Sequence, residues 1–281
     1  MPINKENTKH ATELAAINEK LAIANKELIF QNEEKAKRVA ELVIANEEKA
    51  KRAAELVIAN KELIFQNEEK AKRAAELVIA HMETIQLARQ LSELRDAYTA
   101  GHEMNVGNLA KAIAAQMGFD ADRQAGLMIA GYLHDIGKII VPIEILCKPT
   151  KLSSEEYSLV KNHVQAGYDL LKSVNFAWHI AQPVFEHHER LDGSGYPRNL
   201  KADEISIEGR ILAVADVVEA TSAHRPYRAE LGIKTALIEI ERGRGTLYDA
   251  TVVDACLKLF NEDGYKFEEA ENMLTRDGSD D

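Results

Sequence analysis

The chain has 281 residues, 46% hydrophobic and 29% charged, with a formal net charge of −11. That length buries a real core as one large domain or two small ones, and the acidic balance excludes the basic field of a general DNA or RNA binder. No apolar run of about 18 residues marks a membrane span. The opening MPINKENTKH lacks the apolar core of a signal peptide, and the lone, distant Cys147 and Cys256 predict a reducing, cytoplasmic setting.

The composition divides near Gly101. All 15 glycines lie at Gly101 or later, and five of the six prolines lie at Pro142 or later. Residues 1–100 hold 16 Lys/Arg against 17 Asp/Glu, which leaves 19 against 29, a net of −10, for the remainder.

The first segment is a repeat. NEEKAKR begins at Asn32, Asn46 and Asn67, and ELVIA at Glu41, Glu55 and Glu76, with offsets of 14 and then 21 residues. A seven-residue period without a helix breaker predicts a long helix that pairs with another. Stepping by seven from Ala15 gives a column that stays apolar through Ile29, Val43, Val57, Ile64 and Val78 to Ile85. A neighbouring Leu column is interrupted by Lys35, Lys49 and Lys70, and between the two lies repeated Asn, as at Asn18, Asn46 and Asn60. Such a helix would run about 105 Å from Ala15 to Ile85 at about 1.5 Å per residue. The expectation is a dimeric coiled coil over residues 1–97. Glu33–Lys37 and Glu34–Arg38 pairs support a solvated surface, so a single helix that pairs with nothing is the competing reading.

Beyond Gly101 the apolar spacing is helical and the class is all-α. Val106, Leu109, Ile113 and Met117 share one face, with Gly118 ending the segment. Further helices are expected over Leu127–Ile136, from an N-cap at Ser154 to Ser173, over Phe176–Glu189, Ile207–Ser222, Ile233–Arg242 and Thr251–Asn261. The stretch LDGSGYPRNL is too rich in Gly and Pro to be helical. From Asn261 on, eight Asp/Glu stand against two Lys/Arg, which predicts an acidic, frayed tail over residues 263–281.

Chemistry concentrates in the histidines. His134 precedes Asp135 directly, and His187 precedes His188; adjacent ligands of this kind can reach two neighbouring metals or bridge them. Asp216 sits in the apolar helix RILAVADVVEA, where an unpaired carboxylate is expensive. Imidazole and carboxylate without thiolate favour iron, manganese or zinc. Any one of these residues alone would more often be structural; the joint pattern carries the argument.

The segments HDIGK (134–138) and HHERLDGSGYP (187–197) resemble the HD-GYP phosphodiesterases of bacterial cyclic dinucleotide signalling. The resemblance covers roughly residues 95–260, including KPTKLSSEEY, EGRILAVADVVEATSAHRPYR and YDATVVDA. It implies an HD-type helical bundle over residues 98–262, preceded by the long coiled-coil helix. It implies a centre of two divalent metals, iron or manganese, held by His102, His134, Asp135, His163, His187, His188 and Asp216, with Asp135 bridging. Asp135 and Lys138 would be catalytic. Lys138, Asp192, Gly195, Tyr196, Pro197, Arg225 and Arg228 would contact substrate. The implied reaction is hydrolysis of cyclic di-GMP to linear pGpG, and on to GMP if a second cut follows, by a metal-bridging hydroxide.

Departures from the family pattern matter. The position four residues before His102, where some members carry a Glu that accompanies a third metal, is Tyr98, which implies two metals. Asn105 stands where an Arg is frequent, His224 where an acidic residue is usual, and Ala250 where a Pro is common. Competing readings are a binding module that holds a cyclic dinucleotide with little turnover, a hydrolase of another cyclic dinucleotide or a nucleotide monophosphate, and an adaptor in which the coiled coil does the work. The expected partners are cyclic di-GMP, a second copy of the chain and an unknown upstream signalling protein.

Overall fold

The computed structural model describes residues 3–95, 101–223 and 232–268. Tyr98, His224, Arg225 and Arg228 lie outside the described residues, as does most of the acidic tail. The chain divides into two compact units, Met1–Leu77 and Val78–Asp281.

In the first unit the chain is helix α1, which spans Ile3–Arg95. The absence of Gly and of Pro after residue 2 leaves its backbone hydrogen-bond ladder unbroken. Leu14, Leu42, Val57, Ile64 and Leu77 stand more than half exposed along it. Up to Leu77 the apolar columns of the repeat are therefore surface features of the isolated chain.

The second unit is a helical bundle. The last turns of α1 join α2 (His102–Gln116), α3 (Ala121–Leu133), a 3-10 turn at Ile136–Ile140 and the short α4 (Ile143–Leu146). Then come α5 (Ser154–Leu171), α6 (Ala181–Glu186), α7 (Ile207–Ser222), α8 (Gly232–Arg242) and α9 (Ala250–Asn261). Among the described residues there is no extended strand, only isolated bridges at Asp192–Lys201 and Arg244–Tyr248. The all-α class expected from the sequence is what the described residues form.

Local chemistry sets the helix ends. Asp120 accepts from the Arg123 N–H to open α3, Ser206 from the Gly209 N–H to open α7, and Asp249 from the Thr251 N–H to open α9. Each such cap is worth about 1 kcal/mol. Helix α5 opens one residue earlier than expected: its cap is Ser153 rather than Ser154, because Ser153 and Glu156 satisfy one another's backbone N–H groups in a capping box. The expected helix over 176–189 contracts to α6, since Pro183 leaves a helix only its first turn N-terminal to itself. Helix α7 runs over the expected Ile207–Ser222.

The core joins Leu109 and Ile113 of α2, Ile129 of α3, Ile211 and Leu212 of α7 and Val252 of α9, all fully buried. Each such side chain contributes about 1.5–3 kcal/mol of burial. Ile85 of α1 belongs to the same cluster. Ser92 Oγ donates to the Asp135 carbonyl at 3.4 Å, and Arg95 Nη2 to the Val141 carbonyl at 3.0 Å. The end of α1 thus braces the backbone within the HDIGK segment, at Asp135, and just after it, at Val141.

Candidate metal centre

Five elements deliver side chains to one buried point. His102 opens α2, His134 caps the C-terminus of α3 with Asp135 next, His163 projects from α5, His187 caps α6 with His188 next, and Asp216 projects from α7. His102, His134, His163 and His187 are at most 4% exposed. The rings form a chain of contacts, with centroids 5.2 Å apart for His102–His134 and for His134–His187, and 5.6 Å for His163–His187. His188 lies 5.2 Å from His163.

One close approach makes this possible. A Cβ on Gly137 would lie 1.9 Å from the His163 carbonyl oxygen, so only glycine lets the HDIGK turn pack directly on α5. That contact brings His163 to Asp135.

The carboxylates sit among the rings. Asp135 Oδ1 lies 3.2 Å from His163 Nε2, and its Oδ2 lies 3.3 Å from His134 Nε2 and 2.7 Å from Lys138 Nζ. Asp216 Oδ1 lies 3.5 Å from His102 Nε2 and 3.8 Å from His134 Nε2, and its Oδ2 lies 3.9 Å from His188 Nδ1. Burial alone would raise both carboxyl pKa values. Lys138 and His134 around Asp135, and the histidines around Asp216, outweigh it and hold both well below the usual carboxylate range.

The imidazoles are set for ligation. Nδ1 of His134, His163 and His187 donates to the carbonyl three residues earlier, of Gly131, Val160 and Val184, at 2.7, 2.6 and 2.6 Å. A carbonyl only accepts, so Nδ1 carries a proton, and in the neutral ring the lone pair is then at Nε2. Those three Nε2 atoms are buried and have no hydrogen-bond partner. Burial, reinforced by neighbouring histidines, pushes the His187 pKa down to about 3 and that of His188 well below its usual value. Buried polar atoms without partners are costly, and three imidazole nitrogens beside two carboxylates have the donor chemistry to hold a cation.

Three ligand groups result: His163 with His187 and His188; His102 with His134 and Asp216; and His134 with Asp135 and His187. All seven residues expected to hold metal meet here.

Sequence reasoning missed the supporting carboxylates. Glu219, one turn beyond Asp216 on α7, accepts from His102 Nδ1 and fixes the orientation of that ring. Burial would depress the His102 pKa, but Glu219 and Asp216 outweigh it and hold it well above the usual value. Two carboxylates one turn apart on an apolar helix were the available signal. Glu189 accepts from the backbone N–H groups of Arg198 and Leu200 at 2.7 and 3.0 Å, and Glu186 accepts from Arg198 and Ser206. These two buried acids anchor the loop that carries Gly195, Tyr196 and Pro197.

The candidate substrate contacts divide. Gly195 packs against the segment after His188, where a Cβ would come within 2.4 Å of the Glu189 Cα. The Tyr196 ring lies 4.7 Å from that of His188, so this residue borders the centre, followed by an exposed Pro197. Asp192 is exposed, and its carboxylate accepts from the Ser194 N–H at 2.9 Å, a local turn contact.

A family model described as HD domain matches residues 17–252. The chain belongs to the HD domain family. Within it, the HD-GYP branch is the one indicated by HDIGK, HHERLDGSGYP and the relatives. A cyclic di-GMP phosphodiesterase of Thermotoga maritima is 42% identical over 198 residues, covering 69% of this chain and 54% of its own. The cyclic di-GMP phosphodiesterase response regulator RpfG of Xanthomonas campestris is 38% identical over 175 residues, covering 62% and 46%. A 3'3'-cGAMP-specific phosphodiesterase 3 of Vibrio cholerae is 39% identical over 173 residues, covering 61% and 37%. The HD-GYP chain spans about half the length, or less, of these relatives.

Proposed function

We propose that this HD-GYP chain is a metal-dependent phosphodiesterase that hydrolyses cyclic di-GMP to linear pGpG. The observation that carries the reading is the convergence of the unpartnered Nε2 atoms of His134, His163 and His187 on Asp135 and Asp216. His102, His134, Asp135, His163, His187, His188 and Asp216 would hold two divalent ions, iron or manganese. When bound, such ions neutralise phosphoryl charge and acidify a water to a nucleophile at neutral pH.

The chain's own groups do the rest. Asp135 reaches both sides of the histidine array through its two oxygens. Lys138 is oriented by Asp135 and places a positive charge beside the centre, where phosphate charge develops. Tyr196 walls the centre beside His188. Because the sequence after residue 100 has a net charge of −10, recruitment of an anionic substrate relies on these near cations rather than on a long-range field. A coiled-coil homodimer through residues 1–97, the hydrolase unit over 98–262 and substrate contacts from Arg225 and Arg228 complete the reading. No described helix is long and apolar enough to cross a membrane.

A relative named for 3'3'-cGAMP supports a second substrate assignment on the same chemistry. The test is anaerobic purification, elemental analysis and product analysis with both cyclic dinucleotides under iron(II) or manganese(II). About two metals per chain and conversion of cyclic di-GMP to pGpG are expected. Metal-loaded protein that leaves cyclic di-GMP intact overturns the reading.

A further inference from the structure

A cyclic dinucleotide carries two phosphates and two bases. If one phosphodiester meets the metal centre, the other phosphate and a base extend past it. One side of the centre is already lined for such a group.

The Tyr196 ring, tilted 31° against His188 at 4.7 Å, also faces helix α5. There Tyr157 meets it edge-on at 6.5 Å and 77°. Lys161, one helical turn after Tyr157, places its ammonium 4.8 Å from the Tyr157 centroid and 5.2 Å from that of Tyr196. The two rings and the ammonium form one corner beside His188. The Tyr157 side of it is open, since Tyr157 is 46% exposed. Among the described residues Lys161 forms no ion pair, whereas Lys138 is bound to Asp135 at 2.7 Å and Arg198 pairs with Glu186 at 3.2 Å. An ammonium held on aromatic faces keeps its charge available to an anion.

We infer that Tyr157 and Lys161 recognise the part of the cyclic dinucleotide remote from the scissile bond, Lys161 taking the second phosphate and Tyr157 stacking on a base. The inference rests on the cyclic-dinucleotide phosphodiesterase reading. It adds two residues of α5 to the substrate site, from a segment that contributes only His163 to the centre. The chemistry is general: base stacking on an aromatic ring is sequence-tolerant, and a charge-assisted phosphate contact is stronger than a neutral one.

The experiment compares full-length, metal-loaded wild type with Lys161→Ala, Lys161→Arg, Tyr157→Ala and Tyr157→Phe on two substrates. One is cyclic di-GMP; the other is bis(p-nitrophenyl) phosphate, which offers a phosphodiester but no second phosphate or purine. Metal content and thermal unfolding of every variant are read alongside. For Lys161→Ala, the expected result is a KM for cyclic di-GMP raised roughly tenfold or more with kcat changed less. The ratio of kcat/KM for cyclic di-GMP to that for bis(p-nitrophenyl) phosphate should fall by a similar factor. Lys161→Arg should restore most of the loss, and Tyr157→Phe should retain what Tyr157→Ala loses. An unchanged KM and ratio in Lys161→Ala overturns the inference while leaving the phosphodiesterase reading intact. Equal losses on both substrates also overturn it, because they place the effect in the metal centre or the fold. Wild type that cleaves bis(p-nitrophenyl) phosphate but neither cyclic di-GMP nor 3'3'-cGAMP overturns both.

Discussion

Asp135 and His163, on different elements, stand 3.2 Å apart through Oδ1 and Nε2 because Gly137 lets the intervening turn press onto α5. The same aspartate reaches His134 with its other oxygen at 3.3 Å. One carboxylate thus spans the two sides of the histidine array. Its replacement should be the most damaging single change in the centre. Asp135→Ala is expected to lower metal content by at least one ion per chain and turnover roughly a thousandfold or more, the scale of losing a contact to reacting charge. Elemental analysis and product chromatography read both.

Glu219 acts through His102. Removing the carboxylate leaves Nδ1 without its acceptor and frees the ring to turn. Glu219→Ala should weaken metal binding about 10–100-fold, as outer partners of ligating histidines do. Glu219→Gln, which keeps an acceptor, should lose less. Competition with a chelator of known affinity measures the difference; equal losses would mean that the charge rather than the hydrogen bond matters.

Gly137→Ala tests the close approach. The added carbon must displace the His163 backbone, which a flexible side chain could avoid and a carbonyl cannot. A loss of about 1–3 kcal/mol or more is expected from the overpacking, with metal content falling in parallel. Chemical denaturation of the metal-free protein separates the two effects. Unchanged stability there would show that the turn relaxes at little cost.

The metal-free protein should lose stability as pH falls below about 6.5. His187 is neutral in the fold with a pKa near 3, whereas the unfolded chain protonates it near 6.5, so acidification favours the unfolded state through that window. The unfolded-state advantage from this one imidazole is roughly 2 kcal/mol at pH 5. His188 acts in the same direction over the same window, and the depressed Asp135 and Asp216 add to it only below their unfolded values of about 4. His102, whose pKa is raised, gains stabilisation as pH falls from its folded value to about 6.5 and little below that, so it opposes the trend only above about 6.5. Calorimetry of chelator-treated protein at pH 7 and pH 5 should show the lower melting temperature at pH 5; an equal or higher one would contradict the proposed neutral state of His187.

The exposed columns of α1 predict association. Val43 and Val57, 51% and 54% exposed on the single chain, lie in the column that stays apolar throughout. Sedimentation equilibrium should show a dimer, and Val43→Lys with Val57→Lys should shift it to monomer. A wild-type monomer at micromolar concentration would leave α1 as a solvated single helix.

Much of this protein was legible in its sequence. A breaker-free repeat leaves a helix as the only low-energy backbone, because every N–H finds its acceptor within the same segment. The helix over Ile207–Ser222 follows likewise from local pattern, and the HD-GYP segments name their ligand types without any coordinates. Contacts between distant segments were not legible. The Ser153-x-x-Glu156 capping box of α5 was legible too, being local, but nothing local told that Glu219 would turn toward His102, or that Glu186 and Glu189 would hold the loop carrying Tyr196. The local turn of the helix aims each Nδ1 at the carbonyl three residues earlier, of Gly131, Val160 or Val184. The tertiary structure alone decided which of these side chains share one dry point, because their burial depends on packing between distant segments.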